Sequence, residues 1–323
     1  MKETTTIGDA IAIATNWIAS SELPFSSAFI GGSVAYTDPD SLYDPASDID
    51  CYLVVEGDPP DGKIGKITVE GALLDVSWLP WNQLQQARSH AVLASLLHFG
   101  QIVTDRSGQL TDLKHTIDTT FTSPEAIATR LEDMRARIRP LATPTNQAQL
   151  SAPEQVMNWL FPATLATHIP LIRACAPLTV RKRFIAAKKV MDPADYEELL
   201  KLYGFDVVTK EQAQSCLDDT AALFDHVAPL AAESARFWAS DITADSRDIS
   251  IGGSQQLIDA RNHREALYWI IATRTRCLTV LDDAGKDTCP FMRSFNDMTL
   301  ALGICTAPQR MVRTSAILEW IEK

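Results

Sequence analysis

The sequence predicts an α+β protein in which a small domain of strands and helices precedes a larger, all-helical domain. Two observations support this prediction. Short apolar runs bounded by glycine or proline, typical of strands, are frequent in the first third of the chain and largely vanish afterwards. Apolar residues then recur at helical spacing in long segments. We therefore expect one domain at residues 1–122 and a helical domain at 123–323.

The elements of the first domain follow from local patterns. Residues 7–20 place apolar side chains at helical spacing, which predicts an amphipathic helix. The apolar run at 25–30 stops at Gly31-Gly32, which predicts a strand that ends in a tight turn. The apolar residues at 49–56 predict a buried strand. The remaining predictions are strands at 67–69 and 73–79 joined by a turn at Glu70-Gly71, a helix at 90–97 and a strand at 101–104.

The second domain is predicted from helix-period segments that proline and glycine separate. The predicted helices cover residues 124–139, 154–175, 180–191, 196–203, 211–232, 264–281 and 308–322.

Composition narrows the function classes. The chain has 323 residues, of which 46% are apolar, so it is long and apolar enough to bury two cores. Its formal charge of −12 argues against a general nucleic-acid binder, because an acidic surface repels the phosphate backbone. The six cysteines lack CxxC spacing, which argues against a zinc site. No apolar run approaches the roughly 20 residues that span a bilayer, so we expect a soluble, cytoplasmic protein without a membrane partner.

Three aspartates are the strongest indication of a catalytic site in the sequence. Asp48 and Asp50 flank Ile49 at the start of the apolar strand, and alternate strand residues point to the same face. Two carboxylates about 7 Å apart repel each other unless a cation lies between them, and Mg²⁺ prefers such oxygen ligands. Asp75 interrupts a later apolar strand, where a lone carboxylate is costly without a charge partner. Three converging carboxylates could hold two metal ions during displacement at phosphorus.

The turn Gly31-Gly32-Ser33 supplies a second feature. Two glycines allow the backbone to approach a phosphate closely, and backbone amides at the start of a helix bind anions. The Ser33 hydroxyl adds a donor. The turn and the carboxylates together predict a site for a nucleoside triphosphate.

The order hydrophobic-Gly-Gly-Ser at 30–33, Asp-hydrophobic-Asp at 48–50 and a later acidic strand residue resembles the polymerase-beta-type nucleotidyltransferase superfamily. It is similar in particular to the bacterial aminoglycoside nucleotidyltransferases, which modify antibiotics and pair a catalytic domain with a helical one. The resemblance covers roughly residues 10–120 and implies a polymerase-beta-like mixed sheet with helices. One departure is the spacing, because the segment 34–47 is slightly longer than usual. Its insertion at 37–45 is either a surface loop or part of the acceptor site.

This resemblance also implies roles for individual residues. Gly31, Gly32 and Ser33 would contact the triphosphate. Two Mg²⁺ ions would bind to Asp48, Asp50 and Asp75, and Asp75 would match the third carboxylate, a candidate acceptor of the substrate hydroxyl's proton. The implied reaction transfers a nucleoside monophosphate, with AMP from ATP as the first choice, onto a hydroxyl of a small molecule and releases pyrophosphate. An aminoglycoside-like polycation would suit the acidic charge of the chain.

Two further hypotheses stay open. The same transfer could modify a protein partner, as in a toxin-antitoxin pair, or the chain could be an inactive nucleotide-binding module of this fold. Three intact aspartates argue against the inactive module, because a binding module has no need to keep mutually repelling carboxylates.

Two other motifs carry weaker indications. The basic patch around Lys182 and Lys188 is either a solvated helix face or a contact to the triphosphate. A second Gly-Gly-Ser at 252–254 is not followed by Asp-x-Asp, so we interpret it as a loop or helix start; the alternative is a role in substrate binding together with His263, Arg264 and Glu265.

Overall fold

The computed structural model of the chain describes residues 5–60, 64–144 and 149–323. The chain divides into two compact units. The first contains Met1–Asp133 and Cys175–Thr179, and the second contains Met134–Ala174 and Val180–Lys323. The division lies later in the chain than the expected boundary at 122/123, and a short segment of later sequence belongs to the first unit.

The first unit contains a mixed sheet with the strand order β3-β4-β2-β1-β5. Strands β2 and β4 run parallel, and the other neighbouring strands run antiparallel. The α+β class with an N-terminal mixed sheet is therefore confirmed. The strands are β1 (Ser27–Gly31), β2 (Ile49–Val55), β3 (Gly65–Val69), β4 (Ala72–Pro80) and β5 (Gln101–Asp105).

Local chemistry explains the first helix and the hairpin. Helix α1 begins after Thr6, whose hydroxyl accepts a bond from the Asp9 amide while the Asp9 carboxylate accepts one from the Thr6 amide. The turn between β3 and β4 has positive φ at both Glu70 and Gly71, as a two-residue hairpin turn requires. Both predictions are confirmed. The helices that begin in this unit are α1 (Ile7–Ser20), α2 (Trp81–Leu84), α3 (Ala91–Phe99), α4 (Gln109–Thr120) and α5 (Pro124–Ile138).

The two faces of the sheet carry separate apolar clusters. Residues Ile49, Cys51 and Leu53 of β2 pack into the cluster that contains α1. The alternate residues Tyr52 and Val54 belong to the cluster that contains residues of α2, α3 and α4. Because side chains alternate along a strand, Asp50 lies on this second face of the sheet.

The second unit is helical, as expected. Residues 265–281 of α12 are buried throughout, so this helix forms the centre of the unit. Among the described residues, every helix of the chain is too short or too polar to cross a lipid bilayer. The helices of this unit are α6 (Ala152–Ala163), α7 (His168–Arg173), α8 (Arg183–Val190), α9 (Pro193–Lys201), α10 (Lys210–Ala231), α11 (Gly253–Asp259), α12 (His263–Asp283), α13 (Cys289–Ala301) and α14 (Ala307–Ile321).

The prediction of one continuous helix over 154–175 is wrong. Helix α6 ends at Ala163, a 3-10 turn covers Thr164–Thr167, and α7 follows. Pro162 and Pro170 lack the amide hydrogen that a continuous helix would use in bonding the preceding turn. The apolar period survives this interruption, and the period alone therefore overestimates the helix length.

Candidate active site

Strand pairing brings two of the predicted aspartates side by side. In the parallel pair β2–β4, Asp50 lies directly opposite Asp75. In the antiparallel pair β1–β2, Asp50 lies opposite Gly31. Neighbouring strands are about 4.8 Å apart, so the sheet places the end of the Gly-Gly-Ser strand, Asp50 and Asp75 in one row. Asp48 precedes β2 by one residue and approaches the same row.

A lysine that was not among the predicted site residues joins these carboxylates. Lys66 of β3 lies opposite Asp75 in the hairpin, and its Nζ is 3.1 Å from Asp75 Oδ2. The same ammonium donates a hydrogen bond to Asp48 Oδ2. The Lys66 side chain is only 4% exposed, whereas Asp75 is 14% and Asp48 24% exposed. We call Asp48, Asp50, Asp75 and Lys66 the sheet cluster; it contains three carboxylates and one ammonium.

Gly31 and Gly32 are each required for a different steric reason. A Cβ atom at Gly31 would lie 2.5 Å from Leu96 Cδ1 and 3.0 Å from Tyr52 Cε2. A Cβ atom at Gly32 would overlap Asp50 Oδ2, and Gly32 has φ of +68°, which favours glycine. The Gly32 backbone thus packs directly against the Asp50 carboxylate. The turn and the aspartate form one site, with Ser33 starting a 3-10 turn immediately after it.

Neighbouring side chains report the negative charge of the sheet cluster. Burial, together with the negative charges of Asp50, Asp75 and Asp48, raises the pKa of the Cys51 thiol to about 12. Burial also raises the pKa of Tyr36, and Asp50 adds to this rise. Both groups are therefore kept neutral near pH 7. Tyr36 follows Ser33 in the 3-10 turn and is 42% exposed, so an accessible phenol lies in the electrostatic field of Asp50.

The inserted segment at 37–45 is tied to the start of α1. The carbonyl oxygens of Pro39 and Ser41 accept hydrogen bonds from the amides of Gly8 and Ile7. These amides belong to the first turn of α1, where no intrahelical partner exists. The segment therefore caps a helix of the same unit, which gives its length a structural reason.

The donor set of the sheet cluster suits a hard cation, because all three carboxylates offer oxygen ligands. However, within the described residues no group of three or more His, Cys, Asp or Glu side chains is arranged to hold a metal ion. Lys66 pairs with two of the three carboxylates. Binding of two Mg²⁺ by Asp48, Asp50 and Asp75 therefore stays a prediction.

Lys188 has a partner within the helical unit. Its Nζ lies 2.8 Å from Glu265 Oε1 and 3.1 Å from Asn262 Oδ1. The phenol of Tyr196 also donates to Glu265 Oε1, at 3.1 Å, and the Glu265 side chain is only 1% exposed. We call Lys188, Tyr196, Asn262 and Glu265 the helical cluster. Lys182 immediately precedes the first residue of α8. Contact of Lys182 or Lys188 with a triphosphate stays a prediction.

The second Gly-Gly-Ser lies in helical backbone. Gly252 ends a π-helical turn (Asp248–Gly252), and α11 begins at Gly253, with φ of −58° and −65° at the two glycines. A Cβ atom at Gly253 would overlap Arg181 Nη1, so this glycine makes room for a guanidinium. Arg264 bonds Glu197 through both terminal nitrogens, at 2.7 and 2.8 Å. Helix α11 begins within 252–254, which agrees with the helix-start part of the interpretation, and a role of this motif in substrate binding stays a prediction.

The pairing of Lys66 with Asp75 could have been found in the sequence. A two-residue turn at Glu70-Gly71 fixes the hairpin register, and counting back from it sets Lys66 opposite Asp75. The predicted strand at 67–69 begins one residue after Lys66, and a lysine on an edge strand is usually exposed, so neither pattern indicates a buried contact. The hydrogen bond to Asp48 has no comparable local indication.

Comparison with known proteins gives no family assignment: no family model matches the chain, and no curated protein matches it.

Proposed function

We propose that the chain is a divalent-cation-dependent nucleotidyltransferase that moves a nucleoside monophosphate onto a hydroxyl of a small molecule. The observation that carries the proposal is the row formed by the glycine turn, Asp50 and Asp75. Asp50 is in register with Asp75 and in steric contact with Gly32. Carboxylates beside an approachable backbone turn are what a cation-bound phosphate group needs.

Each part of the site would have a defined task. A divalent cation, when bound, would neutralise phosphate charge, and Asp48, Asp50 and Asp75 would hold it. The backbone at Gly32 and Ser33 would orient the phosphate chain. Asp75 is the candidate acceptor for the proton of the attacking hydroxyl. A new oxygen–phosphorus bond then forms at the α-phosphorus, the bond to the bridging oxygen breaks, and pyrophosphate leaves. Positioning and charge neutralisation account for most of the rate gain in such transfers.

The acceptor class follows from charge. The chain carries a formal charge of −12, and the sheet cluster has more carboxylates than ammonium groups. A cationic compound with hydroxyl groups, such as an aminoglycoside, therefore matches the site better than an anionic one. ATP is the first donor to test, as the family resemblance implies.

The decisive experiment measures pyrophosphate release. Purified protein would be incubated with Mg²⁺, each of the four NTPs and a panel of hydroxyl acceptors that includes aminoglycosides. We expect acceptor-dependent release that Asp50→Asn lowers by at least about 10³-fold, because the variant loses a preorganised charge. Asp112→Asn, which changes an exposed aspartate of α4, should stay within about twofold of the wild type because electrostatic interactions at the surface are screened.

Two further measurements distinguish the possible causes if no pyrophosphate release is observed. Asp50→Asn should keep the melting temperature of the wild type, since it relieves repulsion between adjacent carboxylates; a large drop would assign Asp50 a structural role. ATP should raise the melting temperature with Mg²⁺ and not in EDTA. ATP binding without any release would favour a protein acceptor or a nucleotide-sensing module, and an absence of ATP binding would refute the proposal.

A further inference from the structure

Lys66 occupies an unusual place for a lysine on an edge strand. Its side chain is 4% exposed, and its ammonium contacts Asp48 and Asp75 at once. An exposed lysine is a common and inexpensive solution for an edge strand. Burial of an ammonium group is costly, and a buried ammonium is stable only when carboxylates surround it. The chain therefore places this charge inside the sheet cluster and not in solvent.

We propose that Lys66 is the built-in counter-cation of the sheet cluster and that it sets how tightly the cluster binds a divalent cation. This inference rests on the proposed function, because it concerns the same carboxylates. Lys66 acts through Asp48 and Asp75 and is therefore a positioning residue. It holds both carboxylates together before any ion arrives, and it competes with that ion for the same oxygen atoms.

Charge balance gives the direction of the effect. The three carboxylates carry three negative charges, and the Lys66 ammonium offsets one of them. Removing the ammonium leaves a more negative site, and a unit charge at contact distance has a large effect on an arriving ion even when water screens it. A lysine with a purely structural role would affect folding stability and leave the affinity for the cation unchanged.

The test measures Mn²⁺ affinity without nucleotide, by electron paramagnetic resonance of unbound Mn²⁺. In Lys66→Met we expect the dissociation constant for Mn²⁺ to fall by about tenfold or more. Lys66→Arg retains the positive charge and should stay within about threefold of the wild type. Lys189→Met changes an exposed lysine of α8 and alters the net charge of the chain equally, so it should leave the constant unchanged.

An unchanged or higher dissociation constant in folded Lys66→Met would overturn the inference, and so would an absence of Mn²⁺ binding in both wild type and variant. If circular dichroism shows that Lys66→Met is unfolded, Lys66→Gln provides the same comparison, because it removes the charge and retains hydrogen-bond donors. Tighter Mn²⁺ binding without any nucleotidyl transfer would refute the proposed function alone. Transfer activity with unchanged Mn²⁺ affinity would refute the role of Lys66 alone.

Discussion

Each unit of the molecule contains a lysine that pairs with buried or half-buried carboxylates, but the two clusters differ in charge balance. In the helical cluster, one ammonium meets one carboxylate, and a phenol and an amide complete the hydrogen bonds. In the sheet cluster, one ammonium contacts two carboxylates, and the third, Asp50, lies opposite Asp75 on the neighbouring strand. Among the named residues, the helical cluster has one carboxylate for one ammonium, and the sheet cluster has three carboxylates for one ammonium.

The accessibility of the carboxylates differs in the same direction. The Glu265 side chain is 1% exposed, whereas Asp48 is 24% exposed. A balanced and closed cluster is typical of a structural role, since its charges already satisfy each other. Surplus charge on accessible oxygen atoms costs stability and persists where a site serves a ligand. The comparison therefore supports a binding role for the sheet cluster and a structural role for the helical cluster.

Among variants that leave the charged side chains of the sheet cluster unchanged, the largest expected effect comes from Gly32→Ala. The added methyl group would overlap Asp50 Oδ2 and occupy a φ of +68°, so the Asp50 carboxylate must move. We expect the pyrophosphate-release rate to fall by at least about 100-fold, since displacement of a catalytic group by about 1 Å has this effect. The measurement is the acceptor-dependent release assay at saturating ATP.

Gly108→Ala is the matched control for this prediction. Gly108 has a similar φ of +77°, but no atom lies within 4 Å of the added Cβ. Both variants introduce the same kind of backbone strain, of about 1 kcal/mol, and only Gly32→Ala disturbs the sheet cluster. Equal activity losses in the two variants would show that strain, and not the contact with Asp50, is responsible.

An intermediate effect on stability is expected when the helical cluster loses its carboxylate. Glu265→Gln weakens the bonds from Lys188 and Tyr196 inside the helical unit. We expect the free energy of unfolding to fall by about 2 kcal/mol, as for other charged hydrogen bonds in buried positions. Urea denaturation of Glu265→Gln and Asp50→Asn measures the contrast. A loss in Asp50→Asn as large as in Glu265→Gln would contradict the distinction between the clusters.

The smallest effect concerns Glu197, which neighbours the helical cluster through Arg264. Hydrogen bonds from Arg264 lower the pKa of the Glu197 carboxyl. Because its pKa is lower in the folded state, the ionised carboxylate stabilises the fold at pH values above the unfolded-state pKa of about 4.3. This stabilisation is lost as the pH falls through the folded-state pKa. At pH 7, Glu197→Gln should cost less than about 1 kcal/mol, because the pair is partly exposed.

Thermal unfolding of Glu197→Gln and wild type between pH 7 and pH 3 checks this sign. The difference between the two melting temperatures should be largest at neutral pH and shrink in acid. A difference that grows as the pH falls would mean that the ion pair with Arg264 is not the source of the stability.

Local sequence patterns determined much of the first unit. The α+β class, α1, the strands and the Glu70-Gly71 turn all depend on side-chain period and turn chemistry within a few residues. The same patterns selected Asp48, Asp50 and Asp75, because a carboxylate in an apolar strand is conspicuous in any sequence. Helix α4 escaped prediction because it buries only Leu110 and Ile117, which is too few apolar positions for a clear period.

Only the tertiary structure decided which groups from distant segments meet. The register of Asp50 with Asp75 depends on the parallel pairing of β2 with β4, which are separated by another strand in the chain. Lys66 reaches Asp48 across 18 residues of sequence, and Lys188 reaches Glu265 across 77. Local preferences do not specify such partners, because burial and hydrogen bonding reward an ion pair only after distant segments have packed together. The sequence therefore identified the carboxylates, and the packing determined which of them Lys66 contacts.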